Sequence, residues 1–209
     1  MKQEKIKKIL DQQMEDLSAL CEQAGHHFDK GAIHDFRIAV KTFRAFLRLL
    51  GIYSNSDKDL KIPESFKRLY AISGIIRDAQ LELEKIEAGK LHFPEYARYL
   101  HETIHNYKDE WQKHYTSGIL SEFRDTVAGL KFGALPAHVV SAYTSINMHT
   151  IRMLCHLEAP SDNEVHRMRK LAKDIIYTTN IVKDNWPSAY ERLQKKPNRT
   201  IRANSVIDR

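Results

Sequence analysis

The stretch IHDFRIAVKTFRAFLRLL, residues 33–50, is the most informative part of the sequence because two helical patterns overlap in it. Its basic positions follow one another at steps of 3, 4, 3 and 4 residues, which keeps them on one face of an α-helix. From first to last they span 14 residues, or roughly 21 Å at about 1.5 Å per residue. The basic positions are His34, Arg37, Lys41, Arg44 and Arg48.

Apolar side chains repeat in the same stretch with the same steps, one position earlier. They are Ile33, Phe36, Val40, Phe43 and Leu47. This pattern predicts a helix that is buried around much of its circumference. Its basic side chains would form a narrow exposed ridge. Like charges at helical spacing repel by about 0.2–0.5 kcal/mol per pair, and only Asp35 is a nearby acid within the helix. The ridge is therefore a solvated face, a face paired with acids of neighbouring helices, or an anion-binding surface.

The rest of the chain also shows helical periodicity, without convincing alternation of apolar and polar residues. The sequence therefore predicts an all-α fold. Glycines, prolines and polar turn residues bound most of the segments, and Gly25 is expected to close the first helix and Gly51 to stop the second. We expect helices at about 4–20, 31–50, 59–87, 94–115, 119–129, 136–157, 163–183 and 188–194.

Composition and charge restrict the class of protein. The chain has 209 residues and a formal net charge of +6, which favours acidic partners such as nucleic acid, phosphate polymers or an anionic membrane surface. Residues 192–209 hold six Lys or Arg and one acid, so most of the excess charge lies near the end of the chain. Two distant cysteines and a start without a long apolar run favour a cytoplasmic protein that does not enter a membrane.

The quoted stretch resembles the signature helix of the CHAD family, the conserved histidine α-helical domain. The family pattern has an aliphatic residue, His, two variable residues, Arg, an aliphatic residue, a small residue, then basic residues and a further Arg. The matching residues are His34, Arg37, Ile38, Ala39, Lys41 and Arg44. Thr42 stands where the family usually has a second basic residue.

The resemblance also implies a second, similar half of the molecule. A weaker copy of the motif is found at VHRMRKLAKDIIY, residues 165–177, where His166, Arg169, Lys173 and Tyr177 match by position. Ile176 replaces the second Arg, and Asp174 replaces a usual base. A further segment, GIIRDAQ at 74–80, is similar to the family's Arg-Asp segment and adds Arg77.

These matches imply one CHAD-like helical domain over residues 1–195, followed by a basic flexible tail at 196–209. The domain should consist of two pseudo-symmetric helical-bundle halves, at about 1–129 and 130–195. The resemblance implies that the protein binds inorganic polyphosphate, or a similar polyanion, without catalysis, cofactor or metal. The expected ligand-binding residues are His34, Arg37, Lys41, Arg44, Arg48, Arg77, His166, Arg169 and Lys173.

The residues suit that ligand, which is a flexible chain with charge at every unit and no bases. Such a chain needs regularly spaced cations and hydrogen-bond donors rather than stacking platforms. Arginine supplies forked donors, lysine a point charge, and histidine a donor that becomes cationic near pH 6–7. A nucleic-acid-binding helical protein is the main alternative, because a basic surface also permits it.

The segment HETIH, residues 101–105, is a literal HExxH sequence. On a helix, His101 and His105 would share a face with Glu102 as a candidate base, as in zinc hydrolases. A chain with 11 histidines produces such short matches by chance. The histidines also belong to a basic stripe that includes Arg98 and Lys108, so a metal-dependent hydrolase is the less favoured alternative.

A similar stripe is formed by His149, Arg152 and His156. The stripes make one groove if they converge and solvated surfaces if they diverge. The spacing leaves both arrangements open.

Overall fold

A computed structural model describes residues 1–54, 62–130 and 132–194. Within these ranges the chain forms helices and no strand, so the predicted all-α class is confirmed. The helices are α1 (Gln3–His27), α2 (Lys30–Ser54), α3 (Glu64–Ala88), α4 (Pro94–His114), α5 (Ser117–Ala128), α6 (Ala137–Cys155), α7 (Asp162–Asn185) and α8 (Pro187–Gln194). The predicted tail at 196–209 lies outside the described residues, as does the predicted start of the third helix.

The chain divides into two compact units. One comprises residues 2–135 and contains α1 to α5. The other comprises Met1 and residues 136–209, and its described part contains α6 to α8. The predicted pseudo-symmetry between two halves stays a prediction.

The core of the first unit is an aromatic cluster to which α2 contributes the central rings. The Phe36 ring centroid lies 5.5 Å from that of Trp111 and 5.9 Å from that of Phe66. Phe43 packs edge-on against Phe123, with 5.3 Å between the centroids. All five side chains are buried. The apolar face predicted for residues 33–50 therefore forms the centre of the unit, and this fixes the direction in which the basic face points.

The first two helices extend beyond their predicted ends. The prediction that Gly25 closes α1 is wrong, since α1 continues to His27 and Phe28 takes the left-handed conformation with φ 50°. Gly25 instead allows close packing, because a Cβ there would lie 2.6 Å from Trp111 Nε1. The expected stop at Gly51 is also wrong, because α2 continues to Ser54.

The start of α2 is fixed by a side-chain cap. Asp29 lies just before the helix, and its Oδ1 accepts a hydrogen bond of 2.8 Å from the backbone N–H of Ala32. Such a cap satisfies one of the four N–H groups that a helix leaves without an intrahelical partner. It places His34 in the second turn of a well-defined helix.

The second unit packs α6, α7 and α8 against one another. Helix α7 begins with a capping box, in which Glu164 Oε2 accepts a 2.7 Å hydrogen bond from the Ser161 backbone N–H. The buried apolar side chains of this unit include Val140 of α6 and Ile181 and Val182 of α7. No helix within residues 1–54, 62–130 and 132–194 is long and apolar enough to cross a membrane.

Candidate functional site

Helices α2 and α3 pack in antiparallel order, and this order sets the register of the candidate site. Near the start of α2, Lys30 Nζ lies 3.1 Å from Glu84 Oε1, which is near the end of α3. Further along α2, Arg37 reaches Ser73, which lies about three turns earlier in α3. The turn of α3 that carries Arg77 therefore lies level with the turn of α2 that carries His34. The signature helix and the Arg-Asp segment thus border the same seam.

Arg37 is held against α3 by hydrogen bonds from one end of its guanidinium group. Its Nη1 donates to the backbone carbonyl oxygen of Tyr70 at 2.9 Å and to Ser73 Oγ at 3.0 Å. The Ser73 hydroxyl donates in turn to the Tyr70 carbonyl at 2.7 Å, so its lone pairs are available to the guanidinium. Ser73 is fully buried. The arginine is therefore anchored by a small buried network and keeps its remaining N–H groups for other acceptors.

Tyr70 and Gly74 complete the environment of Arg37. The guanidinium carbon lies 4.5 Å from the centroid of the Tyr70 ring, in cation–π geometry. A Cβ at Gly74 would lie 2.9 Å from Arg37 Nη1 and 3.3 Å from Nη2. The absence of a side chain at Gly74 is therefore what lets the guanidinium lie directly on α3.

Arg44 approaches the same ring from two turns further along α2. Its guanidinium carbon lies 5.9 Å from the Tyr70 centroid, and the residue is half-buried. Two arginines of the predicted row are thus brought to one tyrosine. Lys41 and Arg48 are half-buried on the same helix, and neither is without a partner.

His34 and Arg77 occupy the end of the seam nearest the start of α2. His34 is exposed, whereas Arg77 is half-buried. Arg77 Nη1 is buried and has no hydrogen-bond partner, although a buried donor normally has one. Arg77 and Asp78 form no ion pair within the described ranges, so the sequence neighbour does not neutralise this arginine.

Several other basic side chains within the described ranges form ion pairs with acids. Lys30, Lys67, Arg68, Lys85 and Lys113 pair with glutamates, and two histidines approach carboxylates of α4. None of these pairs involves His34, Arg37, Arg44 or Arg77. For these four residues, pairing with acids of neighbouring helices is therefore ruled out within residues 1–54, 62–130 and 132–194. Two interpretations of these four residues remain, a hydrated face and an anion-binding face.

The second copy of the motif lies on α7, in the second unit. His166, Arg169 and Lys173 are all exposed, and Lys173 Nζ lies 6.0 Å from the centroid of the Tyr177 ring. Asp174, which replaces a usual base, is 5% exposed and so lies on the packed side of the helix. The three basic residues share one helix face, but the two-sided site that joins them to α2 stays a prediction.

The HETIH segment lies on the surface of α4. His101 and Glu102 are exposed, and His105 Nε2 lies 3.7 Å from Asp109 Oδ2. Across the described ranges, no group of three His, Cys, Asp or Glu side chains is arranged to hold a metal ion. The same stripe includes Lys108, whose Nζ lies 5.5 Å over the Phe28 ring. The convergence of the α4 and α6 stripes on one groove stays a prediction.

Cys21 is not a candidate nucleophile. It is fully buried in the first unit, and burial, with a smaller contribution from Glu22, raises the pKa of its thiol to about 12. The thiol is therefore protonated at neutral pH, whereas nucleophilic cysteines need the thiolate form.

Two residues of this site, Tyr70 and Ser73, were not among those predicted from the sequence. Both lie on the side of α3 that faces the basic row, together with Gly74. A possible signal was the Ser-Gly pair within a helix of otherwise large apolar residues. Small residues at such a position indicate the close approach of another group.

Comparison with known proteins gives one match. The family model described as CHAD domain matches residues 8–199. No curated protein and no solved structure matches the chain.

Proposed function

Because this chain belongs to the CHAD family, we propose that it binds inorganic polyphosphate, without catalysis, along the basic face of α2 and the adjoining turns of α3. One observation supports this most directly. Arg37 and Arg44 are gathered at the Tyr70 ring, while no acid within the described ranges neutralises them. Cations gathered without a counter-charge repel one another, and a bound polyanion would remove that repulsion.

The chemistry of the donors fits a chain of phosphates. A guanidinium group binds phosphate oxygens through parallel N–H bonds, and these charge-assisted bonds are roughly twice as strong as neutral ones. Arg37 uses only Nη1 for its anchors on α3, so further N–H groups are available to a ligand. The exposed imidazole of His34 adds a further hydrogen-bond donor at the end of the seam nearest the start of α2.

Isothermal titration calorimetry with long-chain polyphosphate at low salt tests the proposal. We expect saturable binding by the wild type and a large loss of affinity in the double variant Arg37→Ala/Arg44→Ala. Lys7→Ala/Lys8→Ala is the matched control, because it removes the same charge from exposed positions of α1. Failure of the wild type to bind, or equal affinities of the two double variants, would rule out the proposed surface.

Competition separates polyphosphate from nucleic acid. Polyphosphate offers no bases to stack, so a surface of cations alone should not favour nucleic acid. Single-stranded and duplex DNA are added to the preformed polyphosphate complex at equal phosphate concentration. Displacement by either DNA would favour the nucleic-acid alternative, and retention of polyphosphate supports the proposed ligand.

The absence of catalysis is tested with the same components. Polyphosphate is incubated with the protein and Mg²⁺ or Zn²⁺, and its chain length is followed by gel electrophoresis. We expect no shortening. Shortening that His101→Ala or His105→Ala abolishes would instead assign a hydrolase to the HETIH segment.

A further inference from the structure

Tyr70 contacts two arginines of the basic row. Its ring lies beneath the guanidinium carbons of both Arg37 and Arg44, at 4.5 and 5.9 Å from the centroid. Its backbone carbonyl oxygen accepts hydrogen bonds from Arg37 Nη1 and from Ser73 Oγ. Tyr70 itself is half-buried, so one part of the residue packs and another borders the seam.

This arrangement fixes two side chains that would otherwise be mobile. Arginine loses more rotamer freedom than most residues when it becomes ordered, and that loss weakens binding when it occurs on association. Arg37 is already ordered by the ring, the carbonyl and Ser73. The ring face, which carries partial negative charge, also lets two cations approach one another in the free protein.

We propose that Tyr70 is a positioning residue, which holds Arg37 and Arg44 together so that one polyanion contacts both. The proposal rests on the function proposed above, since it concerns the same surface. It differs in its consequence, because it predicts that an uncharged residue controls affinity for an anion. It also predicts that the aromatic ring, rather than the phenol hydroxyl, is the part that acts.

Substitution of the ring tests the proposal by titration with long-chain polyphosphate. We expect Tyr70→Leu to bind about tenfold more weakly, since a cation–π contact and the order that it supplies are lost. We expect Tyr70→Phe to bind within about threefold of the wild type, because it retains the ring. Tyr70→Gln replaces the leucine variant if that variant does not fold, and thermal unfolding of each variant identifies loss of structure.

A double-mutant cycle separates positioning from general packing. If Tyr70 acts through Arg44, then Tyr70→Leu should weaken binding less in an Arg44→Ala background than in the wild type. Additive effects would contradict the proposal. So would equal losses in the Leu and Phe variants, or wild-type affinity in a folded Leu variant.

An NMR measurement on the ligand-free protein tests the positioning without polyphosphate. The Nε–H signal of Arg37 should be shifted by the Tyr70 ring, retained in Tyr70→Phe and lost in Tyr70→Leu. If the wild type shows these shifts but does not bind polyphosphate, the proposed function fails and the geometry stands. If the Arg37 signal is the same in the Leu variant, the positioning role fails on its own.

Discussion

Replacement of Gly74 by alanine should separate stability from ligand binding. The new Cβ would lie 2.9 Å from Arg37 Nη1, which is closer than such atoms approach, and 3.4 Å from the guanidinium carbon. The nearest atoms belong to the end of a flexible side chain, so the guanidinium can move away while the backbone stays. The main effect should therefore be to displace Arg37 from α3.

Two opposing effects set the expected change in stability: a gain in helix propensity and a loss of hydrogen bonds. Alanine in a helix interior is more favourable than glycine by about 1 kcal/mol. The hydrogen bonds that Arg37 Nη1 makes to Tyr70 and Ser73 would be lost, and water can replace them in part, so their net loss is about 1–2 kcal/mol. The free energy of unfolding should thus change by no more than about 1 kcal/mol. Polyphosphate affinity should fall about tenfold, which corresponds to about 1.4 kcal/mol.

Urea unfolding followed by circular dichroism, together with calorimetric titration, measures both quantities. Gly118→Ala is the matched control, because its nearest neighbour would be Thr116 Oγ1 at 3.9 Å. It should raise the free energy of unfolding by up to about 1 kcal/mol and leave the affinity unchanged. Gly25→Ala should instead lower the free energy of unfolding. Its Cβ would clash with the rigid, buried Trp111 ring, and overpacking costs about 1–3 kcal/mol. Unchanged affinity in a Gly74→Ala protein of normal stability would refute the role given to the position of Arg37.

The remaining predictions concern the thiols and the cap of α7. A thiol reagent should label exposed Cys155 in the native protein and buried Cys21 only after denaturation. The Cys155→Ser variant retains only Cys21, so rapid labelling of this variant in its native state would contradict the packing of α1. Ser161→Ala should destabilise α7 by about 1 kcal/mol, measured by thermal unfolding against the wild type. Hydrogen bonds that the Glu164 carboxylate accepts from Ser161 lower the pKa of Glu164, the larger effect coming from the backbone N–H and the smaller from the hydroxyl. Glu164 should therefore stabilise the native state above about pH 4.3 and lose this effect as the pH falls through its lowered pKa. The stability difference between wild type and Glu164→Gln should shrink in that acidic range, and a difference that grows there would contradict the cap.

The helical class and the basic row could be predicted because both depend on local periodicity. In the stretch 33–50, one set of steps gives the buried face with Phe36 and Phe43, and a second gives the face with Arg37 and Arg44. A side chain's position around a helix follows from the sequence alone. Arg77, by contrast, was identified only through the family resemblance, because the helical periodicity of α3 does not distinguish it.

Contacts between helices could not be predicted, because they depend on which helices pack together. The roles of Gly25 and Gly74 are set by Trp111 and Arg37, which lie 86 and 37 residues away in the chain. A glycine that ends a helix and a glycine that lies beneath another side chain look alike in sequence. Helix ends were misplaced at Gly25 for this reason. The role of Tyr70 was likewise not predicted, because only the antiparallel packing of α2 and α3 brings its two arginine neighbours to the ring.

The salt dependence of polyphosphate binding shows most directly whether the basic face of α2 holds the ligand. Each phosphate contact made by a cation releases counterions, so the logarithm of the association constant should fall linearly with the logarithm of the salt concentration. With the single-strand value of about 0.7 per contact, Arg37→Ala/Arg44→Ala should make the slope shallower by about 1.4, whereas Lys7→Ala/Lys8→Ala should leave it unchanged. A slope near zero in the wild type, or the same slope in all three proteins, would contradict binding through the basic face of α2.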